Sequence, residues 1–230
     1  MSDSESPALV SVTESPPWRD TLTELRKLLS ERPFWFSLAF MTVGTWANQS
    51  SSVYLGETYG SSLPRLHDLL LDHVPYIPLS WLYDTLVVVP QVLLFVWVLT
   101  RRKFAMLPFY LVVFGIWQYL RAAFIILTPL GDPNGGSDPG LFASAPYHYG
   151  FYPSGHTSNT LFAYLFCSGA IARTILTILF ILMAALIFGH AHYSIDIFSG
   201  VIFSYAIVKF SEKHFLPRLL PGTLSRRGGL

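Results

Sequence analysis

Long apolar runs separated by short polar segments dominate this chain and predict a set of membrane-spanning helices. A helix needs roughly 20 predominantly apolar residues to cross the hydrocarbon core of a bilayer. Six runs approach or reach that length, at residues 33–48, 79–99, 104–128, 157–172, 174–190 and 192–210. The first and fourth of these runs are short. The pattern therefore predicts an all-α integral membrane bundle of six transmembrane helices.

The segments outside this bundle are polar. Residues 1–17 are acidic and lack the apolar centre of a cleavable signal peptide, so we expect a disordered tail there. Spaced leucines at 18–32 fit either an interfacial amphipathic helix or a plain cytosolic lead-in. The predicted organisation is this tail with a possible interfacial helix at 1–32, a six-helix membrane domain at 33–210 and a cytosolic tail at 211–230.

Cations lie almost entirely on one side of the predicted bundle. The opposite loops contain only Arg65. The positive-inside rule then places both termini in the cytosol and the other ends of the helices on the extracytoplasmic or lumenal face. The cations that decide the orientation are Arg19, Arg26, Lys27, Arg32, Arg101, Arg102, Lys103, Arg173, Lys209, Lys213, Arg218, Arg226 and Arg227.

Composition agrees with a membrane protein and narrows the function classes. Hydrophobic residues make up 52% of the 230 residues and charged residues only 13%, which is too apolar for a soluble core of this size. The net charge of +1 gives no indication of nucleic-acid binding. Cys167 is the only cysteine, so an internal disulfide is excluded.

A polar motif with a histidine and an aspartate begins the last predicted span. His-Tyr-Ser-Ile-Asp occupies residues 192–196. It puts His192 and Asp196 at i and i+4, which are neighbours on one face of a helix. The carboxylate can hold one ring nitrogen while the other attacks phosphorus. This pattern predicts a histidine nucleophile.

A second polar motif, Pro-Ser-Gly-His-Thr at residues 153–157, precedes the fourth predicted span. Ser154 and Gly155 open that helix, whose first backbone N–H groups favour a bound anion, and His156 projects beside them. The motif therefore predicts a phosphate-binding helix start with a general acid next to it. Both motifs lie on the predicted outer side of the bundle.

Two ionisable residues lie within predicted spans, where a charge is costly and usually functional. Arg121 offers a planar fork of N–H donors to phosphate oxygens and is a candidate phosphodiester ligand. Asp84 could accept a proton, hold a head-group cation or pair with Arg121. Each residue also fits an interfacial or structural ion-pair role.

Other polar residues near the first motif are weaker candidates. His148 and Tyr152 are candidate head-group contacts, and residues 132–149 could form a lid over the site. His148 also fits a solvated loop, and Tyr152 fits an aromatic belt at the membrane interface. His190 and His192 lack further clustered ligands, so we expect no metal and no cofactor.

The two motifs resemble those of the type 2 phosphatidic acid phosphatase superfamily, and their surroundings are similar to its sphingomyelin synthase-like branch. Gly-His-Ala-His-Tyr at 189–193 resembles the Ala-His-Asp-His-Tyr of that branch, and residues 120–130 resemble its arginine segment. Tyr83-Asp84 falls where the branch has Cys-Glu. The resemblance implies a catalytic triad and an upstream acidic member, which are His156, His192, Asp196 and Asp84.

The chain also departs from these relatives. Tyr-Gly-Phe-Tyr-Pro at 149–153 replaces the Cys-Gly-Asp of sphingomyelin synthases, which leaves the head group open. Ordinary lipid phosphatases carry Ser-Arg where this chain has Ala185 and Leu186. A dianionic phosphomonoester would lack its usual cations here, whereas a phosphodiester carries one charge. Because Arg121 is the single arginine within the predicted spans, the sequence favours exchange of a phosphodiester head group over hydrolysis of a phosphomonoester.

The predicted function is a lipid head-group phosphotransferase. It moves a phospho-head group from a phospholipid to a ceramide-like or diacylglycerol-like hydroxyl through a phosphohistidine. The alternative is a phosphatase or phospholipase C-like hydrolase that uses water as acceptor. A non-catalytic lipid-binding protein or a transporter is a further alternative. The expected partners are these lipids and the bilayer but no nucleic acid, and a homo-oligomer is left open.

Overall fold

The computed structural model describes residues 17–135 and 149–219, and every regular element in these ranges is a helix. The all-α prediction is confirmed for this part of the chain. Short 3-10 turns occupy Gly60–Ser62 and Phe104–Met106. The α-helices, in chain order, are α1 (Pro17–Ser30), α2 (Arg32–Thr58), α3 (Ser80–Thr100), α4 (Leu107–Leu127), α5 (Gly155–Phe166), α6 (Gly169–Phe188), α7 (Ser194–His214) and α8 (Leu216–Leu219).

Four of these helices are long and apolar enough to cross a membrane. They are α3, α4 together with the turn before it, α6 and α7, and they coincide with the second, third, fifth and sixth predicted spans. The helix α5 has only 12 residues, or about 18 Å at 1.5 Å per residue. The helix α2 is longer but contains a polar run. Six spans and cytosolic termini therefore remain predictions, whereas a membrane-embedded helical protein is supported.

The helix α2 extends ten residues beyond its predicted end at Asn48, since it runs to Thr58. Polar side chains in the added segment find hydrogen-bond acceptors, so they do not end the helix. Ser51 Oγ donates to Ala47 O one turn back at 2.9 Å, and Ser52 Oγ donates to Tyr149 O in the segment before α5. The second bond ties the end of α2 to the site side of the bundle.

The boundary between the fourth and fifth predicted spans is wrong. The helix α5 ends at Phe166, Ser168 is extended, and α6 begins at Gly169, which has a φ of +67° that favours glycine. Arg173, predicted in the connecting loop, therefore lies inside α6. The chain breaks earlier than predicted because the apolar pattern continues through the turn.

The short helix α5 lies at the centre of the bundle and packs against α3, α6 and α7. Its Phe162 is fully buried, and Phe166 stacks on Tyr110 of α4 with ring centroids 4.2 Å apart. The helix α4 also contacts α2 and α7. Because lipid tails are as apolar as these side chains, close packing holds such helices together more than exclusion of water does.

The predicted amphipathic segment at 18–32 is helical, as α1. Leu28 is buried in the main apolar cluster together with Trp97, Val98 and Phe104. The C-terminal part of α1 thus packs against the end of the bundle that lies opposite the candidate site. Its placement at a membrane interface remains a prediction, and residues 1–16 and 220–230 lie outside the described residues.

Candidate active site

Two histidine rings contact each other where α5 and α7 begin. His156 Nδ1 lies 3.3 Å from His192 Nε2. A carboxylate stands behind each ring, because Asp196 Oδ2 is 3.4 Å from His192 Nδ1 and Asp84 Oδ1 is 3.5 Å from His156 Nε2. The structure thus brings four predicted site residues into one row of carboxylate, imidazole, imidazole and carboxylate.

The row lies at the end of the bundle opposite the basic loop at 101–103. Asp84 is in the first two turns of α3, and Thr100 ends that helix about 24 Å away at 1.5 Å per residue. Arg121 is in the last two turns of α4, which runs in the opposite direction along the bundle. The predicted convergence of these residues at one end is therefore present in the structure.

His192 does not lie in α7, and its predicted helical position is wrong. The helix α6 ends at Phe188, His190 has a φ of +45°, and α7 starts only at Ser194. Asp196 is the third residue of α7 and folds back, so that its Oδ2 accepts a hydrogen bond from Tyr193 N at 3.1 Å. The predicted contact between His192 and Asp196 therefore forms through a helix cap.

Burial strengthens the electrostatic interaction between His192 and Asp196. Asp196 is fully buried and His192 is 5% exposed, so water screens the carboxylate and the ring only weakly. With Nδ1 directed at Asp196, the His192 ring presents Nε2 to His156. A neutral imidazole has one N–H and one lone pair, and a proton on Nδ1 leaves Nε2 free to act as a nucleophile.

Ser154 links the two motifs through its main chain. Ser154 N donates to Asp196 O at 3.0 Å. The side chain is fully buried and caps α5, since its Oγ accepts from Thr157 N at 3.3 Å. Ser154 therefore shapes the start of the helix. Gly155 and His156 follow it in the first turn, where backbone N–H groups have no intrahelical acceptor and favour an anion.

The Arg121 guanidinium lies beside this helix start and donates to three acceptors. Nε donates to Pro153 O at 3.1 Å, one terminal nitrogen donates to Gly150 O at 2.6 Å, and the other donates to Asn48 Oδ1 at 2.9 Å. A Cβ added at Gly155 would lie 3.4 Å from Nε. A guanidinium has five N–H groups. Arg121 therefore holds the segment before α5 and keeps donors for a further anion.

Aromatic rings flank the two histidines. The Tyr83 ring lies edge-on to His156 with centroids 5.8 Å apart, and the Phe151 ring lies 5.9 Å from His192. The hydroxyl of Tyr152, a predicted head-group contact, accepts a hydrogen bond from Ser199 of α7 at 3.2 Å. The other predicted contact, His148, lies outside the described residues.

Sequence reasoning missed three of these neighbours. Tyr83 precedes Asp84, and Phe151 lies two residues before Pro153, so both are next to residues that were singled out. Asn48 ends the first predicted span, where a polar residue at the depth of Arg121 was an available signal. None of the three carries a motif of its own, which is why the pattern did not point to them.

The loop between α2 and α3 covers the turn that carries His192. Tyr193 is buried, and its hydroxyl accepts from Leu66 N at 3.2 Å and donates to Gly131 O at 3.0 Å. His190 Nε2 lies 3.0 Å from Val74 O, so this ring contacts the loop. Three connecting segments on the site side thus meet at one tyrosine.

Asp68 in the same loop binds the first residue of α7. Its carboxylate accepts from Ser194 N at 2.6 Å and from Ser194 Oγ at 3.1 Å. Burial raises the pKa of Asp68, but hydrogen bonds from Ser194, Leu71 and Leu70 outweigh it and hold the pKa below its ordinary value. The hydrogen bonds to ionised Asp68 contribute to folding stability at pH values above the ordinary pKa of an aspartate. This contribution is lost as the pH falls through the lowered pKa of Asp68.

Comparison with known proteins agrees with this geometry. Residues 152–213 match the sequence model of a family described as PAP2 superfamily C-terminal. That range contains both motifs, from Tyr152 through α5 and α6 to Lys213 near the end of α7. A search of curated proteins found no match. The segment is thus similar to a superfamily of lipid phosphatase and phosphotransferase type.

Proposed function

We propose that this chain is a lipid head-group phosphotransferase that works through a phosphohistidine. The observation that carries the proposal is the pair of histidines 3.3 Å apart with a carboxylate behind each ring. Phosphoryl transfer by double displacement needs one group that attacks phosphorus and one that handles the proton of the leaving or entering oxygen. The match of residues 152–213 supports chemistry of this class.

In the first half-reaction, His192 Nε2 attacks the phosphorus of a phospholipid. Asp196 orients the ring through Nδ1 and stabilises the positive charge that develops on the imidazole. The bond from phosphorus to the glyceride oxygen breaks, and His156 gives that oxygen its proton. The products are diacylglycerol and a phospho-head group attached to His192.

In the second half-reaction, His156 takes the proton from an acceptor hydroxyl, whose oxygen attacks the same phosphorus. The bond to His192 breaks, and the head group leaves on the acceptor. Asp84, at 3.5 Å from His156 Nε2, stabilises the protonated form of His156 in both halves. Its position supports this role for the acidic residue that the resemblance to sphingomyelin synthases implies.

The two rings must separate for a phosphoryl group to enter. A phosphorus atom bound to His192 Nε2 needs the space that His156 Nδ1 occupies in the structure. The His156 side chain is 27% exposed whereas the His192 side chain is 6% exposed. We therefore assign the movement to His156, while His192 stays fixed against Asp196.

The charges near the rings favour a phosphodiester over a phosphomonoester. The cation of the bundle beside the two histidines is Arg121, and Arg65 of the loop between α2 and α3 interacts electrostatically with the neighbouring Tyr193. Three N–H groups of Arg121 already bind the protein. Ala185 and Leu186, where lipid phosphatases carry Ser-Arg, are buried in an apolar cluster with Tyr83 and Ile197. One guanidinium and one helix start match a monoanion better than a dianion.

The acceptor follows from the same argument and from the resemblance to the sphingomyelin synthase-like branch. A hydroxylated lipid such as ceramide or diacylglycerol reaches the site from the bilayer, beside the aromatic rings of Tyr83 and Phe151. The positive-inside rule puts this chemistry on the extracytoplasmic or lumenal face. Water as acceptor would make the same site a hydrolase, and the product tells the two apart.

One assay distinguishes a transferase from a hydrolase. Head-group-labelled phosphatidylcholine, phosphatidylethanolamine and phosphatidic acid are supplied separately to the purified protein. Each donor is tested with and without ceramide or diacylglycerol, and the labelled products are resolved. We expect label from a diester donor to appear on the hydroxylated lipid. Rapid release of inorganic phosphate from phosphatidic acid, without transfer from either diester, would instead identify a lipid phosphatase.

The carboxylate behind each ring has a distinct expected effect. Asp196→Asn keeps the size of the side chain but weakens its hold on His192, and we expect turnover to fall on the order of a hundredfold or more, as for other oriented histidine bases. In Asp84→Asn we expect a smaller loss of turnover together with a shifted pH profile of turnover, because Asp84 acts on the proton of His156. Equal losses with unchanged pH profiles would contradict these roles.

We expect the hydrogen-bond geometry of the Arg121 guanidinium, and not only its charge, to be needed for turnover. Arg121→Lys keeps a cation but cannot reach Pro153 O, Gly150 O and Asn48 together. Charge-assisted hydrogen bonds contribute about 1.5–3 kcal/mol each, so we expect kcat/KM for a diester donor to fall at least about tenfold. Arg173→Lys, at the other end of the bundle, is the matched control and should behave as wild type. Full activity of Arg121→Lys would refute the assigned role.

A further inference from the structure

The turn that carries His192 is held by main-chain hydrogen bonds to the helices on either side and by contacts from the loop between α2 and α3. His192 lies between the end of α6 and the start of α7, so its main chain belongs to neither helix. Asp196 Oδ2 contacts both Tyr193 N and the ring, but Asp196 Oδ1 is buried without a hydrogen-bond partner among the described residues. The alignment of His192 with Asp196 therefore depends on where the main chain of the first turn of α7 is held.

Asp68 supplies that restraint from 126 residues earlier in the chain. Its Oδ2 accepts a hydrogen bond from Ser194 N at 2.6 Å, and its Oδ1 accepts one from Ser194 Oγ at 3.1 Å. Asp68 is itself fixed by its own loop, because Oδ1 accepts from Leu70 N at 2.9 Å and from Leu71 N at 3.3 Å. A fixed carboxylate at a helix start also has a favourable interaction with the helix dipole.

We propose that Asp68 is a positioning residue for phosphoryl transfer, which holds Ser194 so that His192 and Asp196 stay aligned for attack on phosphorus. This inference rests on the proposed function. Asp68 does not touch the reacting atoms and acts through the first turn of α7. Because a misplacement of about 1 Å can cost about a hundredfold in rate, a restraint two residues from the nucleophile bears directly on turnover.

A loop residue with similar chemistry provides the control. Asp72 lies four residues later, its side chain is about half exposed, and it lies 3.8 Å from the fully exposed ring of His67. Asp72→Ala removes a carboxylate from the same loop without touching α7. Its comparison with Asp68→Ala separates the loss of a charge near the site from the loss of the bonds to Ser194.

The experiment measures kcat and KM of the full-length protein with labelled phosphatidylcholine and ceramide for wild type, Asp68→Ala, Asp68→Asn and Asp72→Ala. We expect Asp68→Ala to lower kcat at least about tenfold while KM stays within about twofold, since the substrate-binding groups remain. Asp68→Asn keeps one acceptor oxygen for Ser194 N and should recover part of kcat. Asp72→Ala should match wild type.

Hydrogen exchange of the amides at 194–197 provides a second readout that needs no activity. We expect faster exchange there in Asp68→Ala than in Asp72→Ala, with the centre of α6 unchanged. Unchanged exchange, or faster exchange with wild-type kcat, would overturn the proposal. If Asp68→Ala does not fold, Asp68→Asn carries the same comparison. If the wild-type protein turns over no lipid, the proposed function is refuted. Hydrogen exchange at 194–197 then tests by itself whether Asp68 holds the start of α7.

Discussion

The contact between His156 and His192 is the interaction on which the rest of the site depends. One ring belongs to the first turn of α5 and the other to the turn before α7, so both helices must begin at the same depth. The main-chain bond from Ser154 N to Asp196 O sets this depth. Gly200 allows the approach, since a Cβ there would lie 3.0 Å from Ser154 O. The pairing of two helix starts thus brings together the rings of His156 and His192, which the proposed mechanism uses as acid and nucleophile.

The segment that leads into α5 has irregular backbone, which a membrane-embedded protein tolerates only where protein groups satisfy its hydrogen bonds. The segment before α5 meets this condition. Arg121 donates to Gly150 O and Pro153 O, and Ser52 donates to Tyr149 O. The same guanidinium therefore stabilises this segment and lies next to the start of α5.

Much of the arrangement of the site residues was predictable because it is local. The two motifs specify His156, His192 and Asp196 within a few residues of a helix start, and the apolar runs predict the four long helices. The failures concern ends and distant partners. The apolar pattern continues through the turns, so it did not show the break before Gly169 or the non-helical position of His192. Asn48 and Asp68 act through partners 73 and 126 residues away, and such contacts depend on how helices dock.

The most direct test of the account is the covalent intermediate on His192. Purified protein is mixed with choline-labelled phosphatidylcholine without an acceptor, quenched in alkali, which preserves phosphohistidine, and digested for mass spectrometry. The account predicts phosphocholine on the peptide that contains His192, lost when ceramide is added and absent from His192→Ala. Normal product formation with no adduct at any quench time, or an adduct on His156 in its place, would contradict it.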